Sequence, residues 1–308
     1  MIKHSFGGDW TTQKLRCLDK YLHAYTKIMS KHFSEYMYID AFAGTGWLTL
    51  KQNEDEDEQS QQPSLLDLLA DGSSSEQPET SSSKLKQQLD GSARIALKVE
   101  PTFTKYLFIE KSKPRFSELQ KLKLEYPEQK IIFKNSDANA LIQEICHEYQ
   151  WMKDGVRAVL FLDPYGMHVS WKTIEVVAKT KAIDLWYLFP IGIALNRLLK
   201  NNGRISEANR CRIDTVLGTS DWYELFYETY IEEPNFISEV MGYGQQTHTR
   251  KTANFERISQ YLNERFSSIF QGVANNPRML LNSKNNPLYL LCFASANPKG
   301  SATAIKIA

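Results

Sequence analysis

The stretch YMYIDAFAGTG, residues 36–46, joins a short apolar segment to a glycine-rich turn. Residues 36–41 have the pattern of a buried β-strand, and Gly44 and Gly46 follow it at once. Glycines directly after a buried strand let a ligand approach the backbone closely. Tight turns also use glycine without any ligand, so the function of this turn has to be inferred from the other segments of the chain.

Strands and helices alternate along the rest of the sequence. The predicted strands are residues 36–41, 105–110, 130–133, 157–162 and 183–189. The predicted helices are residues 11–33, 93–101, 113–125, 138–151, 170–180 and 254–270. Nearly continuous apolar strands in such an order are typical of a parallel sheet that is covered on both faces. The pattern predicts a doubly wound, Rossmann-like α/β fold, closed by an antiparallel hairpin at 278–282 and 288–294.

A single domain with two additions is predicted for the 308 residues. Residues 51–91 are rich in Ser, Gln and Glu and contain no aromatic residue, which predicts an acidic low-complexity loop with a short helix at 64–69. Residues 191–232 are predicted to be helical throughout, within a mainly helical lobe over 191–252.

Composition excludes several classes of protein. With 42% hydrophobic and 24% charged residues, the chain is neither disordered nor fibrous. Its apolar runs are shorter than the ~20 residues that span a bilayer, and the first ten residues lack the apolar core of a secretory signal. Its 4 cysteines form no CxxC pair and its histidines show no ligand spacing. We therefore expect reduced cysteines, no metal site, no membrane insertion and a cytoplasmic location.

Charge is distributed unevenly along the chain. Residues 51–91 hold ten acidic and three basic residues, so the rest of the chain carries a net charge of +8. A basic body is compatible with an RNA or DNA substrate, and the basic stretches 196–212 and 248–251 could follow a phosphate backbone. A charge that only confers solubility explains the same numbers.

Acidic residues end the next two predicted strands. Glu110 lies 64 residues after Gly46, but only 23 when the 41 residues of the low-complexity loop are removed. An acid about 20 residues beyond the glycines accepts from ribose hydroxyls in nucleotide-binding sheets. Asp137 follows the third strand and could accept from an adenine amine, or could cap the helix that begins there.

The fourth predicted strand runs straight into Asp163-Pro164-Tyr165-Gly166. In an open α/β sheet, ligands bind beyond the carboxyl ends of the strands, near the point where strand order reverses. If the first and fourth strands are neighbours, Asp163 lies beside the glycine turn. A carboxylate, a rigid proline and an aromatic ring can hold and stack a planar amine, although Asp-Pro-x-Gly is also an ordinary turn.

The chain resembles class I S-adenosylmethionine-dependent methyltransferases and, more narrowly, the three-Cys-motif partner (TcmP) family. Six motifs occur in the family's order: a first helix with Trp10, Lys14, Leu18 and Tyr21, then YIDAFAG at 38–44, GSARIAL at 91–97, FIEK at 108–111, FLDPYG at 161–166 and YLLCFASANPKG at 289–300. The long acidic loop departs from the shorter connection of the family. The resemblance implies a seven-stranded, mostly parallel sheet with an antiparallel C-terminal strand and a helical insertion.

Site residues, cofactor and partner follow from this resemblance. S-adenosylmethionine would be the cofactor and S-adenosylhomocysteine the product, and the family name implies a partner protein with a three-cysteine motif. The implied cofactor-binding residues are Asp40, Phe42, Ala43, Gly44, Thr45, Gly46, Glu110, Lys111, Asp137 and Ala138. The implied catalytic residues are Asp163, Pro164 and Tyr165. We add the hypothesis that Lys14, on the first helix, approaches the acceptor site as a further catalytic residue, with a solvated lysine as the alternative.

Three functions remain open at this point. The first is methyl transfer to an amino nitrogen of a nucleic-acid base, because DPYG resembles the DPPY box of adenine amino-methyltransferases, although it has one proline where that box has two. The second is methylation of a protein or small molecule. The third is a non-catalytic protein that binds the cofactor or serves as a scaffold. An NAD-dependent enzyme is discounted, because the third glycine of its fingerprint would fall on Thr49.

Overall fold

One mixed β-sheet organises the described residues, which in the computed structural model are 9–49, 88–232 and 246–308. The strands are β1 (Tyr36–Asp40), β2 (Trp47–Thr49), β3 (Gln88–Asp90), β4 (Lys105–Ile109), β5 (Ile131–Lys134), β6 (Arg157–Leu162), β7 (Ile183–Phe189), β8 (Tyr227–Glu232), β9 (Gln246–Lys251), β10 (Gly272–Val273), β11 (Arg278–Leu281) and β12 (Pro287–Ser295). Across the main sheet the order is β10, β12, β7, β6, β1, β4, β5, and β11 also pairs with β12.

Strand direction in this sheet confirms the predicted fold class. β5, β4, β1, β6 and β7 run parallel to one another. β12 is antiparallel to β7, and β10 and β11 are antiparallel to β12. The sheet is therefore doubly wound and mostly parallel, with an antiparallel strand from the C-terminal region inserted beside β7.

Helices cover the sheet on both faces. The α-helices are α1 (Asp9–His32), α2 (Ser92–Leu97), α3 (Lys113–Leu119), α4 (Leu122–Glu125), α5 (Ala138–Glu148), α6 (Trp171–Lys179), α7 (Asn196–Leu198), α8 (Glu207–Leu217), α9 (Trp222–Phe226), α10 (Phe255–Ser267) and α11 (Ser301–Ile307). α1, α2, α3, α4 and α11 pack on one face, while α5, α6, α8 and α10 pack on the other.

The two hydrophobic layers explain why the strands have continuous apolar sequences. In β1, the side chains of Tyr36 and Tyr38 enter the layer beneath α1, and those of Met37 and Ile39 enter the layer beneath α5 and α6. Successive strand residues point to opposite faces, so a strand that is covered on both sides needs an apolar residue at almost every position.

The main sheet has eight strands among the described residues, where seven were expected. The additional strand arises because β12 is nine residues long. Its free edge pairs with β11 near Leu291 and with the two-residue β10 near Ser295. Two short segments thus cover one long edge, which leaves fewer unpaired backbone groups there. The predicted closing hairpin is confirmed as the pair β11 and β12.

The prediction that residues 191–232 are helical throughout is wrong. A π-helix at Ile191–Leu195 leads into α7, α8 and α9, but β8 then pairs with β9 as an antiparallel ribbon. The sequence of β8, YETYIE, is rich in aromatic and β-branched residues that favour strands. Its partner strand comes from beyond residue 245, so the pairing is a tertiary contact that local periodicity does not show.

Two smaller predictions also need correction. The helix expected over 113–125 is divided into α3 and α4. The end of the expected loop 51–91 contains β3, which pairs with β2 so that Thr49 lies opposite Gln88. The expected helix at 64–69 lies outside the described residues. Within the described part of the chain, no helix combines the length and apolar character needed to cross a membrane.

Candidate active site at the carboxyl edge of the sheet

The sheet reverses its strand order between β1 and β6, and the predicted site residues gather at this point. Residues of β4 and residues of β6 flank Asp40 on its two sides, with Phe108 and Phe161 as its partners. Beyond the strand, the amide of Ala41 donates to the carbonyl of Phe161 at 3.1 Å. Because β1, β4, β5 and β6 are parallel, the segments that follow them emerge at one edge, which is where open α/β sheets bind ligands.

The glycine turn after β1 uses left-handed backbone at both glycines. Gly44 has φ +60° and Gly46 has φ +79°, conformations that cost other residues about 1 kcal/mol or more. A Cβ at Gly46 would lie 3.1 Å from the end of the Leu122 side chain, so a larger residue there would press on α4. A Cβ at Gly44 would meet no atom within 4 Å, so open space lies before this part of the turn.

Glu110 fastens the glycine turn to the end of β4. One carboxylate oxygen accepts from the amide of Gly44 at 3.0 Å, and the other accepts from the amide of Ser112 at 2.7 Å. The side chain is buried, since the residue is 8% exposed. Glu110 is therefore not a solvated acid at the strand end. Each oxygen retains a second lone pair that can accept a further hydrogen bond.

Asp40 lies beneath the turn rather than in it. Its residue is fully buried, and its carboxyl accepts from the amide of Phe42 at 3.2 Å and from the hydroxyl of Tyr38 at 3.3 Å. Burial raises the pKa of this carboxyl to about 7, and the negative charge of Asp163 acts in the same direction, against a hydrogen bond from Ser92. Asp40 thus stabilises the turn from below through its bond to Phe42, and its direct contact with a cofactor stays a prediction.

Asp137 caps α5. One of its carboxylate oxygens accepts from the amides of Asn139 and Ala140, at 3.0 and 3.2 Å. The other oxygen lies 3.6 Å from the ammonium of Lys111. The capping role that the sequence left as an alternative is thus present, and the second oxygen still faces outward beside an exposed lysine. Ala138 is buried directly behind it.

On the other side of the turn, Asp163 forms an ion pair with Lys14. The two residues are 149 positions apart in sequence, and the Lys14 residue is only 5% exposed. The alternative of a solvated lysine is therefore wrong. The structure brings this lysine from α1 to the end of β6, and its catalytic role stays a prediction.

Aromatic rings surround this ion pair. Tyr165 is 62% exposed and follows the buried Pro164, so its ring is available to an external molecule. The ring of Trp10 lies 5.1 Å from the ammonium of Lys14 and 4.9 Å from the ring of Tyr289. Burial raises the pKa of the Tyr289 phenol, and the negative charge of the nearby Asp163 adds to this effect.

Trp10 and Tyr289 were matched to family motifs but were not proposed as site residues. The spacing of Trp10 and Lys14, one helical turn apart, places them on one face of α1 and could have indicated a shared role. Tyr289 comes from β12, and its proximity to Asp163 depends on the insertion of β12 beside β7. Such a contact has no local sequence signal.

The remaining predicted residues are distributed around the turn. Phe42 and Thr45 are half-buried and Ala43 is buried. The Thr45 hydroxyl donates to the carbonyl of Trp47 at 3.2 Å, so it stabilises the turn itself. In the predicted basic stretch 248–251, Arg250 forms an ion pair with Glu228 across the β8–β9 ribbon.

Comparison with known proteins adds only general information. No family model matches the sequence, and no curated protein is similar to it. A protein from Legionella pneumophila is 15% identical, covers 85% of this chain and 93% of its own, and has a TM-score of 0.42. An S-adenosylmethionine-dependent methyltransferase from Clostridium acetobutylicum is 8% identical over 92% of each chain, with a TM-score of 0.31. An rRNA methylase from Streptococcus thermophilus is 7% identical over 78% of this chain and 95% of its own, with a TM-score of 0.30.

At such identities and TM-scores, these likenesses say nothing about the chemistry of this chain. The resemblance to the TcmP family likewise stays a prediction, because no family model supports it. The arguments for function come from the residues at the carboxyl edge of the sheet.

Proposed function

We propose that this protein is an S-adenosylmethionine-dependent methyltransferase that acts on a neutral amino nitrogen of a nucleic-acid base. One observation carries the proposal. At the strand-order reversal, an open glycine turn held by Glu110 lies on one side of Asp40, and the Lys14–Asp163 pair with the exposed ring of Tyr165 lies on the other. A cofactor half-site, formed by Gly44, Glu110 and Asp137, and an acceptor half-site, formed by Lys14, Asp163 and Tyr165, therefore lie at one edge of the sheet.

The residues on the turn side fit the cofactor. Gly44 has open space before it, so a ligand can approach the backbone there. Glu110 has lone pairs left for ribose hydroxyls after it has accepted its two backbone bonds. Asp137 offers one oxygen for an adenine amine, and Lys111 lies beside it. When bound, the cofactor supplies a sulfonium methyl group that is already strongly electrophilic.

The residues on the acceptor side would orient the nucleophile. Asp163 can accept an N–H bond from the acceptor amine, and its negative charge stabilises the positive charge that develops on nitrogen. The same carboxylate can take the proton that the methylated nitrogen must lose. Tyr165 can stack on the planar group that carries the amine. Correct alignment of the nitrogen with the methyl group is the main contribution expected of the protein.

The charge of Lys14 favours a neutral acceptor. Its ammonium is buried against Asp163 and lies over Trp10, so it occupies the position that a cationic side chain would need. Like charges at close range in a partly buried site repel strongly. A lysine or arginine side chain of a protein is therefore a poorer acceptor than the exocyclic amine of a base. A base within a duplex would have to be flipped out, at a cost of a few kcal/mol.

The two alternative functions differ from the proposed one in the residues that they require. A methyltransferase of a protein or small molecule would share the cofactor half-site and differ only in its acceptor. A non-catalytic cofactor-binding protein, or a scaffold for the cysteine-motif partner that the TcmP resemblance implies, would not need Asp163.

The test combines binding with product analysis. Purified protein is titrated with S-adenosylmethionine and S-adenosylhomocysteine by calorimetry, and is then incubated with methyl-labelled cofactor and total RNA or DNA. We expect binding, and labelled methylated nucleosides after digestion. Asp163→Ala should abolish transfer while cofactor binding persists. If Asp163→Ala leaves transfer intact, the catalytic assignment is wrong, and if the folded protein binds neither ligand, the scaffold function is favoured.

A further inference from the structure

A hydrogen-bonded clamp joins the cofactor half-site to the acceptor loop, defined as residues 163–170. The clamp is the side chain of Asn139, in the first turn of α5. Its amide nitrogen donates to the carbonyl of His168 at 2.6 Å. Its amide oxygen accepts from the amide of Ser170 at 2.9 Å and from the hydroxyl of Thr173 at 2.8 Å. One side chain thus forms three bonds to the end of this loop and the start of α6.

The backbone of the same residue bonds to the cofactor side. The amide of Asn139 donates to the capping carboxylate of Asp137 at 3.0 Å. Asp137 is the residue proposed to accept a hydrogen bond from the adenine amine of the cofactor. Asn139 therefore connects the two half-sites through consecutive hydrogen bonds, with its backbone on one half-site and its side chain on the other.

The acceptor loop is held firmly at its two ends. At its start, Asp163 is bound to Lys14 and Pro164 is buried. At its end, Ser170 is the N-cap of α6, and its amide donates to the side-chain oxygen of Asn139. Between them, Tyr165 is exposed, which is the position that must meet the acceptor. The conformation of the loop at Tyr165 thus depends on where α5 holds its far end.

We propose that Asn139 is a positioning residue that couples cofactor binding to the conformation of the acceptor loop. This inference rests on the proposed function, because it needs Asp137 to meet the cofactor. A ligand that fixes Asp137 and the start of α5 would restrict the loop through Asn139. Coupling between sites is reciprocal, so a bound acceptor would also tighten cofactor binding.

Another residue of α5 provides a matched control. Gln143, one turn beyond Asn139, donates to the hydroxyl of Thr173 at 2.9 Å. This bond reaches the same α6 residue as Asn139 does, but it does not hold the backbone of His168 or Ser170. If any bond between α5 and α6 served the coupling, Gln143→Ala would disturb it as much as Asn139→Ala.

The experiment measures backbone hydrogen exchange of residues 165–170 with and without S-adenosylhomocysteine. In the unmodified protein and in Gln143→Ala, we expect the ligand to slow exchange about five-fold or more. In Asn139→Ala, calorimetry should show nearly unchanged affinity, because the backbone bond to Asp137 remains, but the ligand-dependent protection should be lost. The nearly isosteric Asn139→Leu also removes all three side-chain bonds and should behave in the same way if Asn139→Ala folds poorly.

The outcomes separate the two proposals. If either Asn139 variant binds the ligand and shows full protection of the loop, the coupling is refuted and the proposed function stands. If the Gln143→Ala protein loses protection equally, Asn139 has no special role. If the unmodified protein does not bind S-adenosylhomocysteine, the proposed function fails, and the coupling fails with it.

Discussion

Replacing Glu110 by glutamine tests the cofactor half-site most directly. The two carboxylate oxygens of Glu110 accept from the amides of Gly44 and Ser112 at 3.0 and 2.7 Å in a buried position. Glutamine offers only one oxygen, and its amide nitrogen must face the other backbone donor. One backbone N–H loses its acceptor, and the remaining bond loses its charge assistance.

The structure sets the size of the expected effects. A buried donor without an acceptor costs about 1–3 kcal/mol, and a charge-assisted bond exceeds a neutral one by about 1 kcal/mol. We therefore expect Glu110→Gln to lower the free energy of unfolding by about 2–4 kcal/mol. Loss of the charged acceptor for ribose hydroxyls should also weaken S-adenosylhomocysteine binding about 10–100-fold, at about 1.4 kcal/mol per factor of ten.

Urea unfolding and calorimetry at 25 °C measure the two quantities separately. Glu35→Gln is the control, because Glu35 accepts from Lys105 at 2.6 Å just before β1, at the opposite edge of the sheet. That variant should bind the ligand as the unmodified protein does. A folded Glu110→Gln protein with ligand affinity changed less than about three-fold would refute the assignment of Glu110 to the cofactor.

Three further predictions concern the acceptor pair, the turn and the core. Lys14→Met should leave S-adenosylhomocysteine affinity within about three-fold but should reduce methyl transfer, because Asp163 loses the partner that positions it; unchanged transfer would argue against the pair. Gly44→Ala should cost only about 1 kcal/mol of stability, since no atom opposes the new methyl group, yet it should block the ligand in calorimetry. Burial raises the pKa of Asp184 from 3.8 to about 6, so the folded state binds the extra proton between these values and stability falls as pH rises through them. Asp184→Asn should remove about 2–3 kcal/mol of this decline between pH 4 and 6.5 in urea unfolding, and an unchanged slope would contradict the burial argument.

The sequence alone determined the sheet and the edge at which the candidate site lies. β6 and β7 coincide with the predicted strands 157–162 and 183–189. Both are buried on two faces, so nearly all of their residues are apolar, with Arg157 and Asp184 as the exceptions. The positions of Gly44, Glu110 and Asp163 at strand ends then follow, because parallel strands bring their carboxyl ends to one edge.

Only the tertiary structure decided which polar groups meet at that edge. Lys14 is buried against Asp163, which lies 149 residues away in sequence. Because that partner is so distant, sequence periodicity cannot distinguish such a lysine from a solvated one. Sequence periodicity also could not show that Tyr289 lies near Asp163, because this depends on the pairing of β12 with β7. Nor could it show β8, because its partner strand β9 is distant in sequence. Local patterns record which faces are buried, whereas ion pairs and strand pairings depend on which segments the fold brings together.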